Sequence, residues 1–289
     1  MNRRQFLGGA ALLSPASGRP KNILLLIGDD HGRHAGAYGD AQARTPNLDR
    51  LAKEGVCFTN AFCTTASCSA SRSVILSGLQ NHANGQYGHA HAEHHFSYLP
   101  FVKPTPRLLK DAGYLSGIVG KLHVGPDPIF GWDYQAGGGR DVQAIAESSR
   151  KFIQSAGNKP WYLHVGYIDP HRGRAAGTDE FGNMDYPGVT RTPFDPAKIR
   201  VPSFLPDLPE VRQDVAQYYQ AANRLDQGIG MLLDVLKETG QIENTLILYA
   251  GDNGMPFPNA KTNTYDAGIR LPFIVRSPGQ TRRGVVNNA

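Results

Sequence analysis

The feature that most constrains the fold is an unbroken apolar run near the start of the chain, Asn22 to Gly28. A strand with one wet face alternates polar and apolar residues, whereas a strand covered on both faces is apolar throughout. We therefore expect the first segment to be a strand buried on both faces, as in a parallel sheet. A second apolar run is Val56–Cys63, and further predicted strands are Leu115–Val119, Trp161–Ile168, Thr245–Ala250 and Pro272–Arg276.

Helical signals lie between these strands. Thr45-Pro46 and Thr105-Pro106 have the residue types that open helices, and glycine closes each segment at Gly55 and Gly113. In the second of these helices, the residues expected to face inward are Leu108, Leu109 and Ala112.

Two longer amphipathic segments, Asp141–Ala156 and Val211–Thr239, also read as helices. Alternation of strand and helix predicts an α/β sandwich, with a mostly parallel central sheet and helices on both faces. Residues 170–206 are rich in proline, glycine and charge. We interpret them as a long surface loop of the kind that lines a site.

The N-terminus has the pattern of an export signal. Arg3 and Arg4 precede the apolar run Phe6–Leu13, and small residues follow at Ala16–Gly18. Paired arginines before Phe-Leu resemble a twin-arginine signal, so we assign residues 1–20 to a signal peptide and expect a periplasmic or otherwise extracytoplasmic protein. No stretch of the sequence is long and apolar enough to span a membrane as a helix.

The net charge of +5 does not indicate nucleic-acid binding. Three arginines of the first 20 residues supply part of it, and the balance without them is +2. The rest of the chain has no run of lysine and arginine and no basic stripe with interleaved aromatic residues. The composition is that of a mildly cationic globular enzyme.

Polar clusters follow four of the predicted strands. They are Asp29-Asp30, Lys121-Leu122-His123, Asp169-Pro170-His171 and Asp252-Asn253. The carboxyl ends of parallel strands meet at one edge of a sheet, so we expect these clusters to converge. The oxygen ligands of Asp29, Asp30, Asp252 and Asn253 suit Ca²⁺ or, less well, Mg²⁺ rather than zinc. The alternative is that the two adjacent carboxylates merely cap a loop.

Cys68 begins the sharpest motif, Cys68-Ser69-Ala70-Ser71-Arg72. The following residues predict a helix, and backbone N–H groups at a helix N-terminus favour negative charge on a nucleophile. Arg72 lies four residues on, on the same helix face, where it can bind an anion. The alternative is a small core cysteine near an exposed arginine. Three cysteines cannot all pair; a Cys57–Cys63 disulfide would leave Cys68 single.

Four basic side chains complete the predicted constellation: Lys121, His123, His171 and Lys261. Two ammonium groups and two imidazoles can surround an anion, and one histidine can protonate a leaving group. Segment 81–96 carries five further histidines. It has no cysteine partner and no His-Glu-x-x-His spacing, so we interpret it as a polar loop near the substrate rather than a zinc site.

Taken together, these motifs resemble the sulfatase family, a branch of the alkaline-phosphatase-like superfamily. The family pattern Cys-x-Pro-Ser-Arg corresponds to Cys68–Arg72, and Asp29-Asp30 resembles its first metal-binding turn. Gly120–His123 and Gly251–Gly254 also match. Asn84–Gly88, His94–Phe96, Asp169–Arg172 and Asp252–Pro258 most resemble the heparan N-sulfatases, or sulfamidases.

The resemblance implies a hydrolase that removes sulfate from a sulfated sugar or glycosaminoglycan, with N-sulfoglucosamine as the expected substrate. A maturation enzyme would convert Cys68 to formylglycine. The metal ligands for Ca²⁺ would be this modified Cys68 together with Asp29, Asp30, Asp252 and Asn253. The formylglycine hydrate and the sulfate would be bound by Arg72, Lys121, His123 and Lys261. His171 would protonate the leaving group.

Two departures from the family pattern are visible. Ala70 stands where the family has proline, and the chain ends at Ala289, soon after the last motif. We therefore expect residues 21–289 to be an N-terminal catalytic domain without the family's smaller C-terminal sheet. Three alternatives stay open: an O-sulfatase on another glycan, a phosphoester hydrolase of the superfamily, and a non-catalytic glycan-binding relative.

Overall fold

The structure is a computed structural model that describes residues 21–91, 93–173 and 177–288. The predicted signal peptide, residues 1–20, lies outside the described residues. Within them, no helix combines the length and the apolar character that crossing a bilayer requires.

Eight strands form one sheet in the order β4-β3-β5-β1-β6-β7-β2-β8. Only β7 among these strands runs against its neighbours. The strands are β1 (Asn22–Gly28), β2 (Val56–Phe62), β3 (Leu115–Gly120), β4 (Tyr134–Ala136), β5 (Trp161–Gly166), β6 (Thr245–Gly251), β7 (Arg270–Arg276) and β8 (Val285–Asn287). The predicted mostly parallel sheet is confirmed.

The helices connect these strands across both faces of the sheet. They are α1 (Pro46–Glu54), α2 (Cys68–Ser77), α3 (Asn81–Asn84), α4 (Thr105–Asp111), α5 (Val142–Ala156), α6 (Pro209–Glu238) and α7 (Asp266–Ile269). Short 3₁₀ turns occur at Gly36–Tyr38, Asp127–Ile129, Pro196–Lys198 and Ile242–Asn244. The helices expected at Thr45, Thr105, Asp141 and Val211 are therefore present.

Strand β1 divides two hydrophobic cores. Leu24 and Leu26 face the core that contains the apolar sides of α1, α5 and α6. Leu25 and Ile27 face the opposite core, which contains Leu76 of α2 and residues from the following loops. Alternate side chains of a strand point to opposite faces, so an all-apolar β1 requires cover on both.

Two local predictions are wrong. In α4, Leu108 is 50% exposed and Ala112 is also exposed, whereas Pro106 is buried. This helix has seven residues, and Leu109, rather than Leu108, packs against the core. Segment 170–206 is not purely a surface loop, because Phe181 and Ile199 are buried against α6 in a third hydrophobic cluster.

Candidate active site

The four predicted polar clusters meet at one edge of the sheet. Strands β3, β5, β1 and β6 are adjacent, and each cluster follows one of them. Backbone hydrogen bonds tie the strand ends together: Asp29 N to Asp169 O at 3.1 Å, Lys121 N to Gly166 O at 2.7 Å and Asp252 N to Gly28 O at 3.1 Å. The convergence expected from sequence is confirmed.

The centre of this edge is a group of buried carboxylates. Asp29, Asp30 and Asp252 are all 0% exposed. Backbone N–H of Asp30 donates to Asp252 Oδ1 at 2.9 Å, and Asn253 Nδ2 donates to Asp30 Oδ1 at 2.7 Å. One oxygen from each carboxylate and the Cys68 sulfur lie within 4.8 Å of one another. The five residues predicted to bind a metal are therefore together.

The donor atoms in this group fit a hard divalent cation. Among the described residues, Asp29 Oδ1 and Asn253 Oδ1 are buried without a hydrogen-bond partner. A buried acceptor without a partner is costly, and a bound cation would satisfy both oxygens. Asp30 also holds a left-handed backbone, with φ of 61°, a conformation that non-glycine residues adopt mainly where surrounding structure enforces it.

Cys68 lies in the first turn of α2 and is 0% exposed. Its sulfur is 3.5 Å from Asp30 Oδ1. Burial, and then the charges of Asp29, Asp252 and Asp30, raise the pKa of the Cys68 thiol well above its usual value. Burial and the three carboxylates therefore oppose the stabilisation of negative charge that is expected at the helix N-terminus. The alternative Cys57–Cys63 disulfide is also absent, since all three cysteines are free.

Arg72 is almost completely buried beneath the carboxylates. Its Nε donates to Asp252 Oδ2 at 2.7 Å and its Nη1 donates to the Lys121 carbonyl at 3.0 Å. Nη2 is 3.6 Å from Asp29 Oδ1. Burial opposes its charge, but Asp252 and Asp29 outweigh that effect and raise the pKa of Arg72. The guanidinium thus holds two carboxylates in place.

Three partly exposed basic side chains surround the carboxylates on the solvent side. Lys121 Nζ is 2.5 Å from Asp29 Oδ2, and Lys261 Nζ is 2.8 Å from the Asp30 carboxylate. His171 Nε2 is 3.9 Å from Asp30 Oδ2, and one ring nitrogen of His171 lies within 4.8 Å of the Cys68 sulfur. Burial lowers the pKa of His171, although Asp29 and Asp30 act against that shift.

The formal charges of this site are balanced before any cation binds. Asp29, Asp30 and Asp252 are paired with Arg72, Lys121 and Lys261. Burial favours the neutral form of Asp29, but Lys121 and Arg72 lower its pKa. A divalent cation would leave an excess of about two positive charges, which favours an anionic ligand.

His123 lies two residues after Lys121, in a left-handed conformation with φ of 62°. Burial, followed by Lys121 and Arg72, lowers its pKa to about 3. Its ring stacks on His91, with centroids 4.7 Å apart. His91, in the histidine-rich segment, therefore contacts a residue of the predicted site.

Two arginines that hold the Asp169 carboxylate in place were not predicted from the sequence. Arg224 donates to both oxygens of Asp169, from Nε at 2.6 Å and from Nη2 at 2.7 Å, and Arg140 pairs with the same carboxylate. Arg224 lies on the buried face of α6 between Asn223 and Leu225. An arginine on the apolar face of a predicted helix indicates a buried acidic partner, because an unpaired buried charge is strongly destabilising.

Comparison with known proteins identifies the family. A family model described as Sulfatase matches residues 21–289. The chain belongs to the sulfatase family. It is 40% identical over 291 residues to human N-sulphoglucosamine sulphohydrolase, covering 94% of this chain and 58% of that protein. It is 29% identical to human N-acetylgalactosamine-6-sulfatase, covering 94% of this chain and 60% of that protein. This sulfatase-family chain thus spans about three fifths of these relatives.

Solved structures support the same fold. A phosphonate monoester hydrolase from Silicibacter pomeroyi superposes with a TM-score of 0.74 at 20% identity, covering 93% of this chain and 70% of that one. A protein solved with its substrate D-glucosamine-2-N,6-O-disulfate gives 0.72 at 21% identity, covering 94% and 74%. At these identities, the sulfatase-family chain shares the fold with enzymes of different chemistry.

Proposed function

We propose that this protein is a formylglycine-dependent sulfatase that removes sulfate from N-sulfoglucosamine in a sulfated glycan. The observation that carries the proposal is Cys68, buried among Asp29, Asp30 and Asp252 with basic side chains on the solvent side. The identity with human N-sulphoglucosamine sulphohydrolase supports the choice of an N-sulfated sugar.

The proposed metal is Ca²⁺, held by Asp29, Asp30, Asp252 and Asn253. Ca²⁺ accepts an all-oxygen set in flexible geometry, whereas Mg²⁺ demands a near-octahedral arrangement. When bound, the cation would polarise the sulfate oxygens and offset the repulsion among the carboxylates. In the absence of the cation, burial and then the charge of Asp29 raise the pKa of Asp252.

The proposed nucleophile forms only after Cys68 is modified. The thiol is buried and its raised pKa disfavours the thiolate, so the unmodified residue is a poor nucleophile. Conversion by a formylglycine-generating enzyme would supply an aldehyde, whose hydrate attacks sulfur. The first turn of α2 holds this position, because Ser71 N donates to Ser67 O at 2.8 Å.

The surrounding side chains have separate proposed roles. Lys121, Lys261 and His123 bind the sulfate group from the solvent side, while Arg72 positions Asp252 and Asp29 from below. His171 donates a proton to the departing amine. A bound sulfate would favour the imidazolium form of His171, because negative charge counteracts the burial that lowers its pKa.

The first experiment measures the modification directly. The protein is produced with a formylglycine-generating enzyme, and the peptide containing Cys68 is weighed by mass spectrometry. Conversion replaces the thiol with an aldehyde and supports the proposal. Ala70→Pro is the matched control, because residue 70 lies in the first turn of α2, where no intrahelical partner for its N–H is lost. Intact thiol in both proteins contradicts the proposed mechanism.

The second experiment identifies the substrate and the leaving-group acid. Initial rates are compared on N-sulfoglucosamine, a 6-O-sulfated glucosamine and a phosphate monoester, with Cys68→Ala as the inactive control. Preference for the first supports the sulfamidase assignment, and preference for either other substrate contradicts it. We expect His171→Gln to lower kcat on poor leaving groups by about 10²-fold or more, as removal of a general acid does. Unchanged turnover would contradict this role.

We also propose that residues 1–20 direct export to the periplasm or beyond. The proposal rests on Arg3 and Arg4 before an apolar run. Replacing both arginines with lysine should leave the protein in the cytoplasm, as measured by cell fractionation, if the pair is read as a twin-arginine signal. Unchanged export would contradict that reading.

A further inference from the structure

A cluster of three imidazoles lies beside the site but outside the proposed calcium ligands. His89 and His91 belong to the loop after α3, and His123 follows β3. One ring nitrogen from each lies within 4.8 Å of those of the other two. Ring centroids are 5.2 Å apart for His89 and His91, 5.6 Å for His89 and His123, and 4.7 Å for His91 and His123.

Two of these rings have nitrogens with nothing to bind. Within the described part of the chain, His89 Nδ1 and His123 Nδ1 are buried and lack a hydrogen-bond partner. Buried polar atoms in native proteins are nearly always paired, so an exception calls for a ligand or a water. An imidazole nitrogen that has no hydrogen-bond partner is available to coordinate a metal.

We propose that His89, His91 and His123 form a second metal site, which binds Zn²⁺ or a similar transition-metal ion. Three imidazoles with an open fourth position are a donor set that Zn²⁺ accepts, unlike the all-oxygen set around Asp29. The sequence alone did not favour zinc in this loop, because the loop has no cysteine partner and no His-Glu-x-x-His spacing; the third histidine, His123, comes from a different segment.

The site needs a small rearrangement to close on a metal. Tetrahedral Zn²⁺ with bonds of about 2.0–2.1 Å places its nitrogen ligands about 3.3 Å apart, closer than the 4.8 Å limit of this cluster. The His91 and His123 rings are nearly parallel, with an interplanar angle of 7°, so one ring must turn. His91 is exposed, which makes it the ring that is free to turn.

The shared residue gives this second site a consequence for the first. A metal that ligates His123 fixes the orientation of its ring and occupies one of its two nitrogens, so we expect metal occupancy to inhibit the proposed sulfatase reaction. Lys121 contributes to lowering the pKa of both His89 and His123, and it also repels a bound cation. We therefore expect an exchangeable metal rather than a structural one.

The test measures binding without relying on activity. Cys68→Ala protein in excess Ca²⁺ is titrated with Zn²⁺ by calorimetry and with Co²⁺ by visible absorption. We expect one Zn²⁺ per chain and a Co²⁺ spectrum without sulfur charge-transfer bands. His91→Gln should weaken binding more than about tenfold, since even residues behind metal ligands have effects of that size. His82→Gln, an exposed histidine before the cluster, is the matched control and should bind as the parent does.

Absence of binding to the parent, equal affinity in His91→Gln, or cysteine bands in the Co²⁺ spectrum would overturn the proposal. With mature enzyme, Zn²⁺ should inhibit and His91→Gln should relieve that inhibition. The binding result stands whether or not the protein hydrolyses sulfamates, so failure of the metal site and failure of the proposed function are distinguishable.

Discussion

Replacing Arg224 with methionine tests how a buried ion pair supports the site. Arg224 is 3% exposed and Asp169 is 1% exposed, and two hydrogen bonds join them. The Asp169 carbonyl accepts the N–H of Asp29, one of the proposed calcium ligands. Arg224 is therefore a positioning residue that acts on the site through the Asp169 turn.

Removing one partner of a buried pair typically costs about 3–5 kcal/mol, because the remaining charge is left without compensation. Arg140 also pairs with Asp169 and retains part of that compensation, so we expect the lower end, about 3 kcal/mol. For a domain of this size, that cost corresponds to a fall in Tm of about 6–12 °C.

The assay is denaturant unfolding followed by tryptophan fluorescence, with thermal melting as a second measure. Arg150→Met is the matched control, because Arg150 pairs with Glu238, which is 57% exposed, and such surface pairs contribute about 0–1 kcal/mol. Asp169→Asn combined with Arg224→Met removes both charges, so the double variant should be less destabilised than the sum of the two single variants.

A change in Tm for Arg224→Met no larger than that for Arg150→Met would refute the reasoning. It would mean that Arg140 alone, or water, compensates Asp169. Full additivity in the double variant would also refute it, because independent contributions are not expected from two groups in direct contact.

Three further outcomes are expected. Asp252→Asn should reduce the rise in Tm that Ca²⁺ produces, measured by thermal melting with and without the ion, because it removes a proposed ligand. Gly228→Ala should destabilise by about 1–3 kcal/mol in denaturant unfolding, since an added Cβ would lie 2.6 Å from Val142 Cβ, whereas helix propensity alone predicts stabilisation. Burial, followed by Arg72, lowers the pKa of His164 to about 3, below its unfolded value, so stability should fall as pH drops from about 6.5 toward 3 by up to about 1.4 kcal/mol per unit. His164→Gln should reduce that slope.

Local sequence patterns predicted the burial of an element correctly where the tertiary contacts require the same pattern. The apolar run of β1 requires cover on both faces, and the structure supplies two cores, one on each side. The α4 helix shows the opposite case. Seven residues are too few for a reliable apolar stripe, and the packing around Pro106 and Leu109 left Leu108 exposed.

The electrostatics of Cys68 could not be derived from its motif. A cysteine at a helix N-terminus favours the thiolate when nothing else is near. Here three carboxylates that directly follow β1 and β6 lie near the sulfur, and their charges together with burial raise the pKa of the thiol. Their distance from Cys68 depends on strand order, which the motif does not contain.

The sequence by itself determined the alternation of strand and helix and the identity of the polar residues at the strand ends, because both are local patterns along the chain. The tertiary structure decided which residues meet. It joined Asp169 to Arg224 and brought His123 beside His89 and His91. These contacts depend on the order of strands in the sheet and on the path of a loop across its edge, and neither is set by the spacing of residues within any one segment.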